Sequence, residues 1–385
     1  MKIMGYVRPN GAVGIRNHLL VLPSVVCAND AARKIAEQLA GAVWVDHQHG
    51  CAELAPDAEQ TRRTLAGFAS NPNVGACIIV GLGCEVVNAH GLAEAVAKTG
   101  KPVECFVIQE VGGTVNTVAA AVKAGSRMLE MLSKQEREEC DLSSITLALE
   151  CGGSDACSGI AANPAVGAAS DMFVEQGGTS ILSETQELIG AEHLLAKRAV
   201  SPEVAERIWY ICKRAEEGAL KMGVDIRYTN PAPGNIEGGI TTLEEKSLGC
   251  IHKAGHAPIQ EVVEYAEAPK KKGLVIMDTP GHDVESITGM VAGGAQVVVF
   301  TTGRGTPVGC PIAPVIKVAS NTTMYECMRD NMDINAGEIV DGEKSIRDVG
   351  KEIFDEIIAV CNGKKTKAEV LGFGSFAVNR IGPTQ

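Results

Sequence analysis

ITLALECGGSDACSGI, residues 145–160, is the stretch on which the reading of this chain turns. A short apolar run, ITLAL (145–149), stops at Glu150-Cys151 and passes through Gly152-Gly153 into Ser154-Asp155. A run that short, bounded by paired glycines, reads as a buried strand and not as a helix. The same arrangement recurs outward in both directions. LLVLPSVV (19–26) runs into Cys27 and Asn29, AVWV (42–45) into Asp46-His47-Gln48-His49-Gly50-Cys51, CIIVGLG (77–83) into Cys84-Glu85, and CFVI (105–108) into Gln109-Glu110. Downstream, TSIL (179–182) ends at Ser183-Glu184, LVIM (274–277) at Asp278-Thr279, and VVVF (297–300) at Thr301-Thr302-Gly303-Arg304. Open α/β sheets bind ligands beyond the carboxyl ends of their strands. These ends, rich in His, Cys, Glu, Asp and Arg, predict one shared catalytic crevice.

Helical spacing alternates with these strands over 57–70, 88–99, 114–139, 165–177, 187–222, 322–332 and 343–361. That alternation predicts an α/β fold with mainly parallel sheets and flanking helices, in two Rossmann-like layers or domains. The charged end of 114–139 marks the expected division into an N-terminal domain, 1–140, and a C-terminal domain, 141–385. The segment NPAPGNIEGGITTLEEKSLG (230–249) is read as an irregular, functional loop because prolines and glycines crowd it.

The net charge of −12 and the absence of a long basic run argue against nucleic acid or an anionic membrane as partner. No apolar stretch approaches the roughly 18–20 residues needed to cross a bilayer. MKIMGYVRPNG breaks at Pro and Gly before a signal-peptide core could form, so a cytoplasmic protein is expected. Thirteen cysteines, an odd number, are then expected as thiols. Cys77, Cys105, Cys140, Cys212, Cys327 and Cys361 read as small buried hydrophobes, whereas Cys51, Cys84 and Cys151 stand at strand ends.

His47 and His49 are two residues apart, so on a strand both would face one side and could share a metal with Cys51; the plain alternative is a capped turn and a solvated ring. The paired glycines of 150–160 allow a close backbone approach to a carboxylate, although ordinary turn chemistry also explains them. No Gly-Lys-Ser/Thr follows, so this is not a phosphate loop, and GLGCE is too short for a dinucleotide fingerprint. Glu184 is a ligand candidate. Arg304, between two glycines, suits carboxylate capture. Lys317 is a second possible anion anchor, and Arg16-Asn17-His18 reads as structural, at the opposite sheet end.

With those residues in view, the chain resembles the altronate/galactarate dehydratase family, specifically its large catalytic region. The resemblance is carried by GYVRPNGAVGIRNHLLVLP, DHQHGC, GLGCE, IQEVGGT, LECGGSDACSGIAANPAVG, LSETQELIGAEHLL, PGNIEGGITTLEEKSLG, MDTPGHDVESITGMVAGGAQVVVFTTGRG and MDINAG. It implies a lyase assisted by Fe(II) or Mn(II) that removes water from a sugar acid to give a 2-keto-3-deoxy product. It also implies a separate small β-rich subunit as partner. A homodimer is expected from size and class. Proton abstraction next to a carboxylate requires a base, an acid for the leaving hydroxyl and positive charge to hold the enediolate. His47, His49, Glu110, Cys151 and Asp155 are the catalytic candidates, and Ser154, Asn163, Arg304 and Lys317 the substrate-binding ones. His49, Cys51, Cys84, Glu85 and Glu184 are the candidate metal ligands, with the individual parts left open. The alternatives are an iron–sulfur dehydratase holding its cluster on Cys51, Cys84 and Cys151, a sulfo-lyase for a small hydroxy acid like the related sulfolactate enzyme, and a non-catalytic sugar-acid-binding protein.

Overall fold

The computed structural model of the chain describes residues 1–384. β1 (Lys2–Val7) and β2 (Val13–Gly14) pair antiparallel at the start of the chain. β3 (His18–Pro23), β4 (Ala42–Trp44), β5 (Val74–Gly81) and β6 (Val103–Val107) follow, forming an all-parallel sheet of order β4-β3-β5-β6. β7 (Glu138–Asp141) then pairs antiparallel with β1, so the chain's first strand is fastened to the link between the halves.

The second half supplies β8 (Thr146–Cys151), β9 (Thr179–Leu182), β10 (Ile259–Val263), β11 (Gly273–Met277), β12 (Val297–Thr302), β13 (Val315–Ala319) and β14 (Ile334–Asn335). They form a parallel seven-stranded sheet of order β10-β11-β9-β8-β12-β13-β14. The expected α/β class with parallel sheets and flanking helices is the observed one. Strands covered on both faces are apolar throughout. β5 is buried at every position, and β8 at all but its first.

Strand order reverses at one place in each sheet, between β3 and β5 in the first and between β8 and β12 in the second. Reactive strand ends therefore gather at two switch points, where a single crevice was expected. The halves nevertheless share a core: Leu20, Phe68 and Ile79 of the first pack in one cluster with Ala148, Phe300 and Val315 of the second.

The helices differ from the sequence expectation in three places. The helix over 114–139 ends at Ser133, because 138–141 leave to form β7. The stretch 187–222 is broken: a short helix, Glu192–Ala196, precedes a long one, Pro202–Lys221, started by Ser201 as cap and Pro202 in its first turn. The 230–249 segment is not a plain loop, since it contains the helix Pro233–Glu237 and the start of Leu243–Ile251. Among the described residues no helix is long and apolar enough to cross a membrane.

Candidate active site

β8 delivers Glu150 and Cys151 to the switch point of the larger sheet, and Gly152-Gly153 turns the chain over its end. The loops after β8 and β12 are bound to each other: Gly152 N–H donates to Thr301 O (3.0 Å), and Gly303 and Arg304 N–H both donate to Gly153 O (3.1 and 2.9 Å). A methyl group at Gly152 would collide with the Asp283 carboxylate, and one at Gly153 would lie 3.1 Å from Arg304 Cβ. The two glycines thus form a floor that meets the Asp283 carboxylate at one end and the base of the Arg304 side chain at the other. Asp283 opens the helix Asp283–Ala292. Burial, then the charge of Glu184, pushes its carboxyl up to about 6. The Arg304 guanidinium pairs with Glu237 (3.1 Å).

Beneath this floor lies a buried charged group. Glu184 follows β9 in a left-handed conformation (φ 64°), held by its N–H to Thr279 Oγ1 (2.7 Å). Its carboxylate accepts from Cys151 N–H (2.9 Å) and forms an ion pair with Lys253, both side chains being buried. Cys250 completes the group: Cys151 Sγ, a Glu184 oxygen and Cys250 Sγ lie within 4.8 Å of one another. Contact with Cys250, then burial and Glu184, raises the Cys151 thiol well above its ordinary value, so it stays protonated. Burial raises Glu150 as well, with Glu184 adding to it. Glu150 Oε2 accepts from Ser286 (2.6 Å) and Ser183 (3.2 Å), while Oε1 has no partner.

Three other expected residues sit beside the floor. Ser154, Asp155 and Asn163 line a cavity of about 220 Å³ with Lys246 and Cys250. Asp155 is fully engaged: it accepts from Ser158 N–H (2.8 Å) and the Oγ of Ser158 and Ser320 (2.8 and 2.7 Å), and from Asn321 (2.9 Å). These bonds tie the loop to the end of β13. Asn163 bridges Thr301 Oγ1 (2.6 Å) and Gly249 O (3.0 Å), which also positions elements.

The remaining expected residues lie elsewhere. β4 stops at Trp44, so His47 and His49 occupy a loop and not a strand. Their rings stack at 6.3 Å; His47 Nε2 contacts Pro23 O (2.8 Å), and His49 Nδ1 is 3.5 Å from Glu53. Burial lowers His47 to about 4 and depresses His49, leaving both rings neutral. They face a cleft shared with Glu285 and Arg380. Glu85 accepts from Ser24 Oγ (2.9 Å) and Gly83 N–H (2.5 Å) at the smaller sheet's switch point. Glu110 pairs with His90 at 3.1 Å, in the open. Cys51 and Cys84 are exposed. Of the five expected metal ligands only Glu184 belongs to the tight Cys151–Glu184–Cys250 group, because the other four hang from the smaller sheet. Lys317 is buried mid-strand on β13 with its ammonium toward Val308 O (3.2 Å), and burial lowers it to about 8. Cys327, expected in a core, is exposed. Arg16 is structural, as expected, in a close pair with Glu369 (2.6 Å).

The family model for the C-terminal part of D-galactarate/altronate dehydratase matches residues 142–384, and that for the second domain of D-galactarate dehydratase/altronate hydrolase matches 5–133. The chain belongs to the D-galactarate/altronate dehydratase family. It is 36% identical to the altronate dehydratase of Bacillus subtilis over 99% of this chain and 78% of that protein. It is 37% identical to the (2R)-sulfolactate sulfo-lyase subunit beta of Chromohalobacter salexigens over 98% of this chain and 97% of that protein. The galactarate dehydratase (L-threo-forming) of Escherichia coli is 38% identical over 94% and 73% respectively.

Asp283, Lys253, Cys250 and Glu150 stand with the expected residues Cys151 and Glu184 around this switch point, and the sequence reading does not select them. Asp283 was within view, in the TPGHD stretch four residues beyond an apolar strand's polar end, Asp278-Thr279. Lys253 and Cys250 carried no signal, since both sit just past a segment read as an irregular loop, 100 residues or more of sequence from Glu150.

Proposed function

We propose that this chain is a carbon–oxygen lyase that removes water from a sugar acid, altronate- or galactarate-like, to give a 2-keto-3-deoxy acid. The names of its relatives support the reaction class. The observation that carries the reading is the Gly152-Gly153 floor between Asp283 and Arg304 at the switch point of the larger sheet.

Arg304, already facing one carboxylate in Glu237, holds the substrate carboxylate. Asp283, with its carboxyl near 6, is ionised at neutral pH yet basic enough to take the C2 proton. The backbone over the glycines lets the substrate lie close between the two. His282, the residue before Asp283 and 3.6 Å from Glu285, is the group we assign to protonating the departing C3 hydroxyl. Lys253 neutralises the buried Glu184 carboxylate, so that this charge does not oppose an enediolate developing nearby.

Fe(II) or Mn(II) as a single resident ion is poorly matched by the chain's own groups. The one tight cluster of possible ligands among the described residues, Cys151–Glu184–Cys250, already contains the Lys253 ammonium, which neutralises it and repels a cation. Cytoplasmic location, a homodimer and a small β-rich partner subunit are further parts of the proposal. The cysteine-rich composition supports the first, and the sulfo-lyase relative, itself a subunit beta, supports the last.

The test is an anaerobic turnover screen of aldonic and aldaric acids and sulfolactate, with and without iron, manganese and a candidate small subunit, detecting 2-keto acid and sulfite. Keto acid from a sugar acid, lost in Asp283→Asn, supports the reading. Sulfite from sulfolactate alone would move the chain to the sulfo-lyase reaction. Full activity of Asp283→Asn would remove the assigned base.

A further inference from the structure

One polar group near the floor has no part in the steps assigned above. Glu187 ends the helical turn Thr185–Glu187 that follows β9, and Lys246 stands in the helix Leu243–Ile251. Thr185 N–H donates to Thr279 O (3.0 Å), which lays the turn after β9 against the loop after β11. Ser247 Oγ donates to Ile189 O (2.6 Å), which fixes the helix Leu243–Ile251 to the same turn. Lys246 Nζ then donates to Glu187 Oε1 (2.9 Å) and to Asn230 Oδ1 (2.8 Å). Glu187 is only 7% exposed, and its Oε2 accepts no hydrogen bond among the described residues. The neighbouring Gln186 Oε1 is buried and likewise without a donor. An ammonium carries three N–H groups, so Lys246 has one left to give. Buried polar atoms are as a rule partnered. Two buried acceptors without donors, beside a spare N–H, point to a ligand that both donates and accepts.

The place of the group says which ligand. A methyl group on Gly281 would lie 3.4 Å from Glu187 Oε1 and 3.7 Å from Gln186 Oε1. Gly281 is two residues from Asp283, and two residues span at most about 7 Å. Lys246 also lines the cavity beside the floor that contains Ser154 and Asn163. A six-carbon acid, with five carbon–carbon bonds of about 1.5 Å each, covers that distance from the assigned base. We propose that Gln186, Glu187 and Lys246 form the subsite for the substrate hydroxyls beyond C3, and so select a long polyhydroxy acid over a short hydroxy acid. A hydroxyl donates and accepts at once. Its proton meets Glu187 Oε2 or Gln186 Oε1, and its oxygen takes the remaining N–H of Lys246. Burial raises the Glu187 carboxyl and Lys246 opposes that, but in either protonation state the group keeps an acceptor for a hydroxyl. A three-carbon acid with C2 at Asp283 stops short and leaves these atoms unmet, which is how a site built around hydroxyls rejects a ligand lacking them. The proposal rests on the sugar-acid reading above and deepens it by fixing the length of the substrate.

The experiment compares the six-carbon sugar acid that serves best in the screen above with glycerate, which loses water to pyruvate through the same C2 and C3 chemistry. For each acid, kcat/KM and the calorimetric Kd are read on the full chain. The wild type should prefer the sugar acid. Glu187→Gln and Lys246→Met should each cut the ratio of sugar acid to glycerate, in either measure, by about 10–100-fold, the loss expected when a hydrogen bond to a charged group goes. An equal fall for both acids would show a merely structural pair and overturn the proposal. A wild type that takes glycerate as well as the sugar acid would overturn it too. If both variants fail to fold, the wild type is given 4-deoxy and 5-deoxy sugar acids. At least one should bind about 10-fold or more weaker than its parent, and parent-like affinity for both would sink the subsite. The two readings fail separately. Sugar-acid binding without turnover, weakened in Glu187→Gln, would keep the subsite and remove the lyase, whereas turnover with an unchanged ratio would do the reverse. Binding of neither acid would remove both.

Discussion

At the scale of single residues the site is set by groups whose protonation the fold decides. Cys151, expected to be catalytic from its place at a strand end, has its thiol raised well above the ordinary value by contact with Cys250, by burial and by Glu184. Asp283 yields two predictions of opposite sense. As a base it must be ionised, so the rate should climb as pH rises through about 6 and then level off, and Asp283→Asn should lower kcat by roughly 10²–10⁴-fold. Its folded carboxyl lies above the ordinary 3.8, so the stability linked to it is present below that value and is lost as pH rises through about 6. Asp283→Asn removes that loss, and at pH 7.5 denaturant titration should find the variant more stable by roughly 1–3 kcal/mol. A less stable, fully active variant would contradict both. Gly152 is bound to the same group: Gly152→Ala puts a methyl into the Asp283 carboxylate and should abolish turnover with a melt shifted by only a few degrees. Normal turnover of Gly152→Ala would show that Asp283 does not need its present position.

At the scale of elements, legibility in the sequence followed burial. β5 and β8 are buried on both faces, so they appear as unbroken apolar runs with clear ends. β7 and β14 are short and pair at sheet margins, so they carry no such run. The helix Leu243–Ile251 was legible and overlooked. Thr242-Leu-Glu-Glu245 is a capping signature, and Thr242 Oγ1 does accept from Glu245 N–H (3.1 Å), but the prolines and glycines just before it weighed more. The same holds for Ser201-Pro202 inside the 187–222 stretch. What no local pattern could show is the approach of Leu243–Ile251 to the helical turn Ser158–Ala162, where Gly159 and Gly249 meet with no side chain between them. A methyl on either would lie 2.9 Å from the other's Cα. Gly159→Ala should therefore separate these elements, destabilise the chain by about 1–3 kcal/mol and weaken substrate binding, since both elements line the cavity containing Ser154 and Asn163. Unchanged KM together with unchanged stability would show that the contact relaxes freely.

At the scale of the whole molecule, the two halves could have been independent, each with its own parallel sheet and switch point. The buried polar contacts between them argue otherwise. Asn73, just before β5, accepts from Ile15 N–H (2.9 Å) and donates to Gln296 O and Ile312 O in the other half (2.8 and 2.9 Å). Gln296 answers by donating to Val13 O (2.8 Å) and accepting from Thr146 N–H (2.7 Å). Asn71 donates to Val291 O and Ala295 O (both 2.8 Å). These bonds are buried, and apart from Val291 O, which also accepts from Gly294 N–H (3.0 Å), the carbonyls are met by a side chain from across the boundary; an unmet buried carbonyl costs about 1–3 kcal/mol. Asn73→Ala leaves two of them and one N–H unmet while removing almost no apolar surface. It should lower stability by roughly 2–5 kcal/mol. Calorimetry separates the two ways this can appear. If the halves share one cooperative core, as Leu20, Phe68, Phe300 and Val315 in a single cluster indicate, Asn73→Ala should melt in one transition at a lower temperature. Two transitions, one near the wild-type temperature, would mean that the halves fold separately and that Asn73 only docks them.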